Sequence, residues 1–245
     1  MKRQFFTLKI ALMALIVLGM PSIASGARRC RVEVNPPVKA ELITENIPSL
    51  RSQIEYLSLN GMMVTDMLRY PVEMVLGNLG THEGLLYGKT VVTVGEGLGL
   101  LLPHLVKIKI PTLGIDLFYF SNFESNHRIA DEIRAYEEHF GQHLKRGDAT
   151  RLPIPDRSTD VYISHAMVNN MRKRDKQKAL KEALRVTDKY GEIYIFGYEA
   201  TDISWISKVL EDRGYARYRF ENVSGEFEFA GRQIPYSKYR LRIEL

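Results

Sequence analysis

The sequence predicts an α/β fold: a doubly wound, largely parallel sheet with helices on both faces, preceded by a helical extension. Three observations predict it. From residue 88 onward short apolar runs alternate with segments of helical period, the pattern of strand–helix–strand units. The first strand passes into its helix through a glycine-rich turn, as such units do at their ligand-binding end. Two aromatic-rich runs close the chain and have the form of an antiparallel pair at the sheet edge. A length of 245 residues, 45% hydrophobic and 26% charged, suits one domain with a small extension.

The chain opens with Lys2, Arg3 and Lys9, an apolar run from Ile10 to Met20, then Pro21 and the small residues Ser22 to Ala27. That order is a secretory signal peptide, with cleavage before Ala27 or one residue later. The expected location is therefore exported, periplasmic or secreted. The alternative is an uncleaved membrane anchor over residues 10–27, because the apolar and small run reaches about 18 residues and arginines follow it. Residues 1–27 carry three basic residues and no acidic one, so the net charge of +5 falls to +2 without them. That near-neutral balance gives no reason to expect a nucleic-acid partner. The single cysteine, Cys30, excludes an internal disulfide scaffold and any multi-cysteine zinc site, and no metal is expected.

Residues 28–87 read as an extension. Asn35, Pro36 and Pro37 lead in, and Ile54, Leu57, Met63, Met67, Met74 and Val75 recur at near-helical spacing. Helices are expected over 45–80, with Pro71 opening or kinking one. Residues 88–245 form the main domain. Strands are expected at Val91–Val94, at Thr112–Leu117, near Leu144, at Val161–Ser164 and at Glu192–Gly197. Helices are expected at Leu98–Val106, around Ile129 to Phe140, around Leu180 to Val186, and from Ile203 to a stop at Gly214. The final runs, Tyr215–Val223 and Tyr236–Ile243, are joined through Gly225 and Gly231.

The chemistry gathers at strand ends. Gly95, Glu96, Gly97, Leu98 and Gly99 follow the first strand, where bare backbone amides and a helix N-terminus approach a ligand closely. Asp116, about 20 residues on, ends the second strand, the place from which a carboxylate accepts both hydroxyls of a ribose. The dinucleotide fingerprint requires a glycine at the sixth position, and counting from Gly95 or Gly97 that position is Leu100 or Leu102. The nicotinamide reading weakens accordingly. Asp148, at the end of the third strand, is placed to accept from an exocyclic amine while Ala149 offers its N–H to a ring nitrogen.

This series, over about residues 88–200, resembles the class I S-adenosylmethionine (SAM)-dependent methyltransferases. It is most similar to the small-molecule group that includes the quinone-biosynthesis enzymes, methyltransferase type 11. The resemblance implies a Rossmann-like seven-stranded sheet with a reversed C-terminal edge strand, SAM as cofactor, and a small-molecule or lipid-like methyl acceptor. It implies that Gly95, Gly97 and Gly99 approach the methionine part, Asp116 the ribose, Leu117 the adenine face, and Asp148 with Ala149 the adenine edge. The family carries an acid two positions before the first glycine. Here that position is Thr93, and Glu96 is the candidate to take over the amine contact.

Methyl transfer is an in-line displacement that needs alignment and exclusion of water. His165, beyond the fourth strand and near the methyl group, is the candidate general base, and a strand-end hydrogen bond is its plainer alternative. The basic run from Arg172 to Lys181 reads as a solvated helix face. A noncatalytic descendant of the fold, binding a ligand or partner protein, is the second functional reading.

Overall fold

Pro71 lacks an amide and has its φ fixed, so it sits naturally at the head of α1, Val72–Leu79. The helix stops at Gly80, whose φ of +67° is the left-handed conformation glycine adopts without strain. Val72, Val75, Leu76 and Leu79 form its buried stripe, with one polar residue, Asn78, buried among them. The computed structural model describes residues 70–117, 119, 127–229 and 232–245. The expected signal segment, Cys30 and the helical pattern of residues 45–69 lie outside them.

The strands β1 (Val91–Val94), β2 (Thr112–Asp116), β3 (Leu144–Arg146), β4 (Thr159–His165) and β5 (Thr187–Tyr198) are followed by the long hairpin β6 (Tyr218–Phe229) and β7 (Arg232–Glu244). Between them run α2 (Leu101–Lys107), α3 (His127–Phe140), α4 (Lys173–Val186) and α5 (Ala200–Glu211). The seven strands lie in the order β3-β2-β1-β4-β5-β7-β6. β1 is parallel to both β2 and β4, so successive crossovers leave it in opposite directions and a crevice opens above the carboxyl ends of β1 and β4. β7 is antiparallel to β5 and β6. It is the last strand in sequence yet lies one place in from the edge, with β6 outermost.

Several boundaries differ from the sequence expectation, β5 for one starting earlier at Thr187, and two of the differences have plain physical reasons. α2 starts at Leu101 rather than Leu98, because the glycine turn uses the intervening residues. Gly225 is not in the connection but inside β6, opposite Tyr236. A Cβ there would lie 2.7 Å from the Tyr236 hydroxyl, so glycine lets that ring lie across the strand.

Each sheet face has its own core. On one, Val92, Val94, Tyr162, Ile193 and Ile195 pack against Ala179, Leu180, Ala183 and Leu184 of α4 and Trp205, Ile206 and Leu210 of α5. On the other, Val91, Val161, Ile163, Tyr194 and Phe196 pack against α1 and against Leu101 and Leu105 of α2. The extension thus enters the core of the domain through α1 and reaches the crevice.

Candidate functional site

Neighbouring side chains pack closely against the glycines of the turn after β1. Gly95 has φ +72°, and a Cβ there would fall 2.4 Å from Met167 Sδ. A Cβ on Gly99 would fall 2.3 Å from Glu96 Cγ, because Glu96 folds back beneath the turn. Its Oε1 accepts from the Leu102 amide at 2.7 Å and so serves the otherwise open N-terminus of α2. Its Oε2, and the neighbouring Thr93 Oγ1, are buried without a hydrogen bond to any described residue. Burial pushes the Glu96 carboxyl up to about 7, with the Leu102 amide opposing the rise and nearby Asp116 adding to it.

Asp116 accepts from the Gly97 amide at 2.9 Å through Oδ2, so the carboxylate expected at a ribose also holds the turn. Two tyrosines hold the same backbone from outside. Tyr119 donates to the Gly97 carbonyl at 2.6 Å and Tyr136 to the Gly99 carbonyl at 3.1 Å, with their rings stacked 6.2 Å apart. Burial, reinforced by Tyr136 and the two carboxyls, raises Tyr119 well above the usual phenol range, so it remains a donor.

Asp148 lies in the turn after β3, two residues beyond the strand. Its Oδ1 accepts from the Thr150 amide at 2.7 Å. Ala149 is buried, and Leu117 is 55% exposed beside them. The following segment is pinned from α4. Arg185 donates to the Leu152 and Ile154 carbonyls at 3.0 Å each and to Glu182, and Glu182 accepts from the Leu152 amide at 2.7 Å.

Above the strand ends these parts form two lobes of one cleft. The first is lined by Tyr70, Val75, Thr93, Glu96, Leu101, Ile163 and His165. The second is lined by Ile115, Asp116, Leu117, Asp148, Ala149 and Met171. Val94, Gly95 and Met167 border both. A glycine cradle, a carboxylate at the end of β2 and a second past β3 suit a nucleoside-bearing ligand. The unpartnered Glu96 and Thr93 oxygens at the other end suit an ammonium.

His165 stands on the wall of the first lobe, stacked on Phe196 at 5.0 Å and edge-on to Tyr70 at 4.9 Å. Its Nε2 is 3.1 Å from Asn78 Nδ2, and Asn78 Oδ1 accepts from the Tyr236 hydroxyl at 2.8 Å. Burial pulls the imidazole down to about 3. Burial thus disfavours the protonated ring at the position where the sequence suggests a general base.

A doubly wound sheet, a reversed β7 and a bare glycine turn at β1 define the architecture of the class I methyltransferases. Residues 92–195 match the family described as a methyltransferase domain. Over those residues the chain is similar to a class I SAM-dependent methyltransferase domain of type 11, which implies SAM as the cofactor. The "putative RNA methyltransferase" of Pyrococcus horikoshii is similar in fold: TM-score 0.55, 15% identity, over 78% of this chain and 97% of that one. A SAM-dependent methyltransferase of Thermotoga maritima aligns at TM-score 0.44 and 16% identity, over 80% and 99%. Among curated proteins, none matches the sequence.

Gly95, Glu96, Gly99, Asp116, Leu117, Asp148, Ala149 and His165 line this one cleft, and Gly97 is tied to it through the hydrogen bond from its amide to Asp116. Sequence reasoning missed Asn78, Tyr119, Tyr236 and the Arg185–Glu182 brace. Asn78 had a signal, a polar residue inside the apolar stripe of α1. The others join segments far apart in the chain, and no periodicity announces them.

Proposed function

We propose that the chain transfers the methyl group of SAM to a small-molecule or lipid-like acceptor held in the first lobe. The observation that carries this reading is the continuity of the two lobes across Gly95 and Met167, one edged by carboxylates and the other mostly apolar. In it Asp116 holds the ribose, Asp148 and Ala149 the adenine edge, Leu117 the adenine face, and Gly95, Gly97 and Gly99 the methionine part. Glu96 and Thr93 receive the ammonium. When bound, SAM supplies a sulfonium-activated methyl group. The chain's own residues orient the two reactants and exclude water, with Tyr70 and Val75 of the extension closing one side of the acceptor lobe.

Titration with SAM, S-adenosylhomocysteine and NAD, followed by transfer from methyl-labelled SAM, tests the proposal. Binding of the first two but not NAD is expected, with label appearing in the organic extract of cognate cells. Label appearing in RNA instead would replace the acceptor reading.

A further inference from the structure

We propose that Asn78 and Tyr236 fix His165 as a neutral hydrogen-bond donor to the methyl-accepting atom, and that this atom is an oxygen already ionised in solution. The inference rests on the methyltransferase reading of the cleft. It comes from three elements meeting at one ring: α1 supplies Asn78, β7 supplies Tyr236, and β4 supplies His165. The Tyr236 hydroxyl donates to Asn78 Oδ1 at 2.8 Å, which turns Nδ2 toward the imidazole. Nδ2 has only hydrogens to offer, so His165 Nε2, 3.1 Å away, must present its lone pair. The ring proton is then on Nδ1. That atom makes no hydrogen bond among the described residues, and the side chain lines the acceptor lobe.

A ring in this state directs a lone pair but takes no proton. The remaining titratable groups on the lobe's wall are Tyr70, raised to about 12 chiefly by burial, and Glu96, whose Oε1 accepts from the Leu102 amide and whose Oε2 the proposed function commits to the cofactor ammonium. No lysine or arginine lines the lobe among the described residues. An alcohol or ammonium acceptor has a proton to lose and finds no uncommitted base among the described residues of this wall. An ionised oxygen has none. Its own lone pair forms the O–C bond while the S–C bond breaks toward sulfur, and the sulfonium charge offsets the oxyanion beforehand. Val75, Leu101 and Ile163 around it suit an apolar ring or chain bearing a carboxylate or an acidic phenol or enol.

Asn78 and Tyr236 are positioning residues, and their test reads the ring directly. Long-range proton–nitrogen correlation on ¹⁵N-histidine-labelled full-length protein should show His165 with a protonated Nδ1 and a bare Nε2, with or without SAM. Asn78→Asp, which can only accept, should move the proton to Nε2. Tyr236→Phe, which keeps the ring, should give a mixture and covers the case in which the aspartate variant does not fold. A His165 protonated on Nε2 in the parent overturns the proposal.

The acceptor class is read separately, with aromatic carboxylates, acidic phenols, benzyl alcohols and benzylamines sharing one ring. Transfer to the ionised acceptors is expected, falling at least tenfold in Tyr236→Phe, and the carboxylate and phenol arms distinguish the two oxyanion sources. Transfer confined to the amine or alcohol, or to none of the four while SAM binds, overturns it. Failure to bind SAM with the Nδ1 proton in place would instead overturn the methyltransferase reading alone.

Discussion

Tyr119 and Asp116 grip the same glycine from opposite sides: the Gly97 carbonyl accepts from the Tyr119 hydroxyl at 2.6 Å, and the Gly97 amide donates to Asp116 Oδ2 at 2.9 Å. The turn after β1 is thereby fixed at its centre by one side chain from the end of β2 and one from just beyond it. Tyr119→Phe keeps the buried ring and removes one hydrogen bond. SAM affinity should fall by about 1 kcal/mol, the net scale of such a bond, with the fold intact by circular dichroism. An unchanged titration would mean that the turn holds its shape without the clamp.

Asp116 has a second duty in this arrangement, and two substitutions separate them. Asp116→Asn still accepts from the Gly97 amide but loses the charge offered to a ribose. Asp116→Ala loses both. SAM binding should weaken by about 1 to 3 kcal/mol in the first variant and by more in the second. Equal affinity in parent and asparagine variant, measured calorimetrically, would remove the ribose assignment.

The strand and helix pattern from Val91 to Leu210 was legible in the sequence because parallel strands buried on both faces read as short apolar runs and α4 shows a clean helical stripe. Gly95, Gly97, Gly99, Asp116 and Asp148 were legible because the topology itself places strand ends together. The state of His165 was not. It depends on Asn78, 87 residues earlier, and on Tyr236, 158 residues after Asn78, and on a ring lying across Gly225. Such contacts follow from β7 being inserted beside β5, which no local pattern in the sequence records.

Lys176 of α4 and Asp202 of α5 form a buried ion pair at 2.5 Å, each side chain 8% exposed. Asp202 also accepts from Trp205 Nε1 at 3.0 Å and from the Glu199 amide at 3.1 Å. Burial alone would raise its carboxyl, but Lys176, the amide and the indole outweigh it and hold the carboxyl below the usual range. A depressed carboxylate contributes stability that is present above its unfolded value of about 4 and is lost as pH falls through the folded one. Lys176→Met leaves the carboxylate buried and unpaired. It should cost about 3 to 5 kcal/mol in denaturant unfolding and remove much of the acid sensitivity.

The N-terminal segment carries a prediction of its own. If the order of basic start, apolar run and small residues is processed as a signal peptide, mass spectrometry of the exported fraction should find a mature N-terminus at Ala27 or Arg28. The intact chain in the membrane fraction would select the anchor. The intact chain in the soluble cytoplasm would reject both.

Glu96 makes the sharpest pH prediction, and its sign reverses on binding. In the free protein burial raises its carboxyl to about 7, so between the unfolded value near 4 and 7 the folded state holds an extra proton. That contribution to stability is fully present at low pH and declines as pH rises through 7. A cofactor ammonium beside Oε2 favours the charged form instead. SAM affinity should therefore increase as pH rises through about 7, with a proton released on binding. Calorimetry in two buffers of different ionisation enthalpy reads that proton. Glu96→Gln should keep the capping bond to Leu102, abolish the release and flatten the pH profile. Persistence of both in the glutamine variant would mean that another group receives the ammonium.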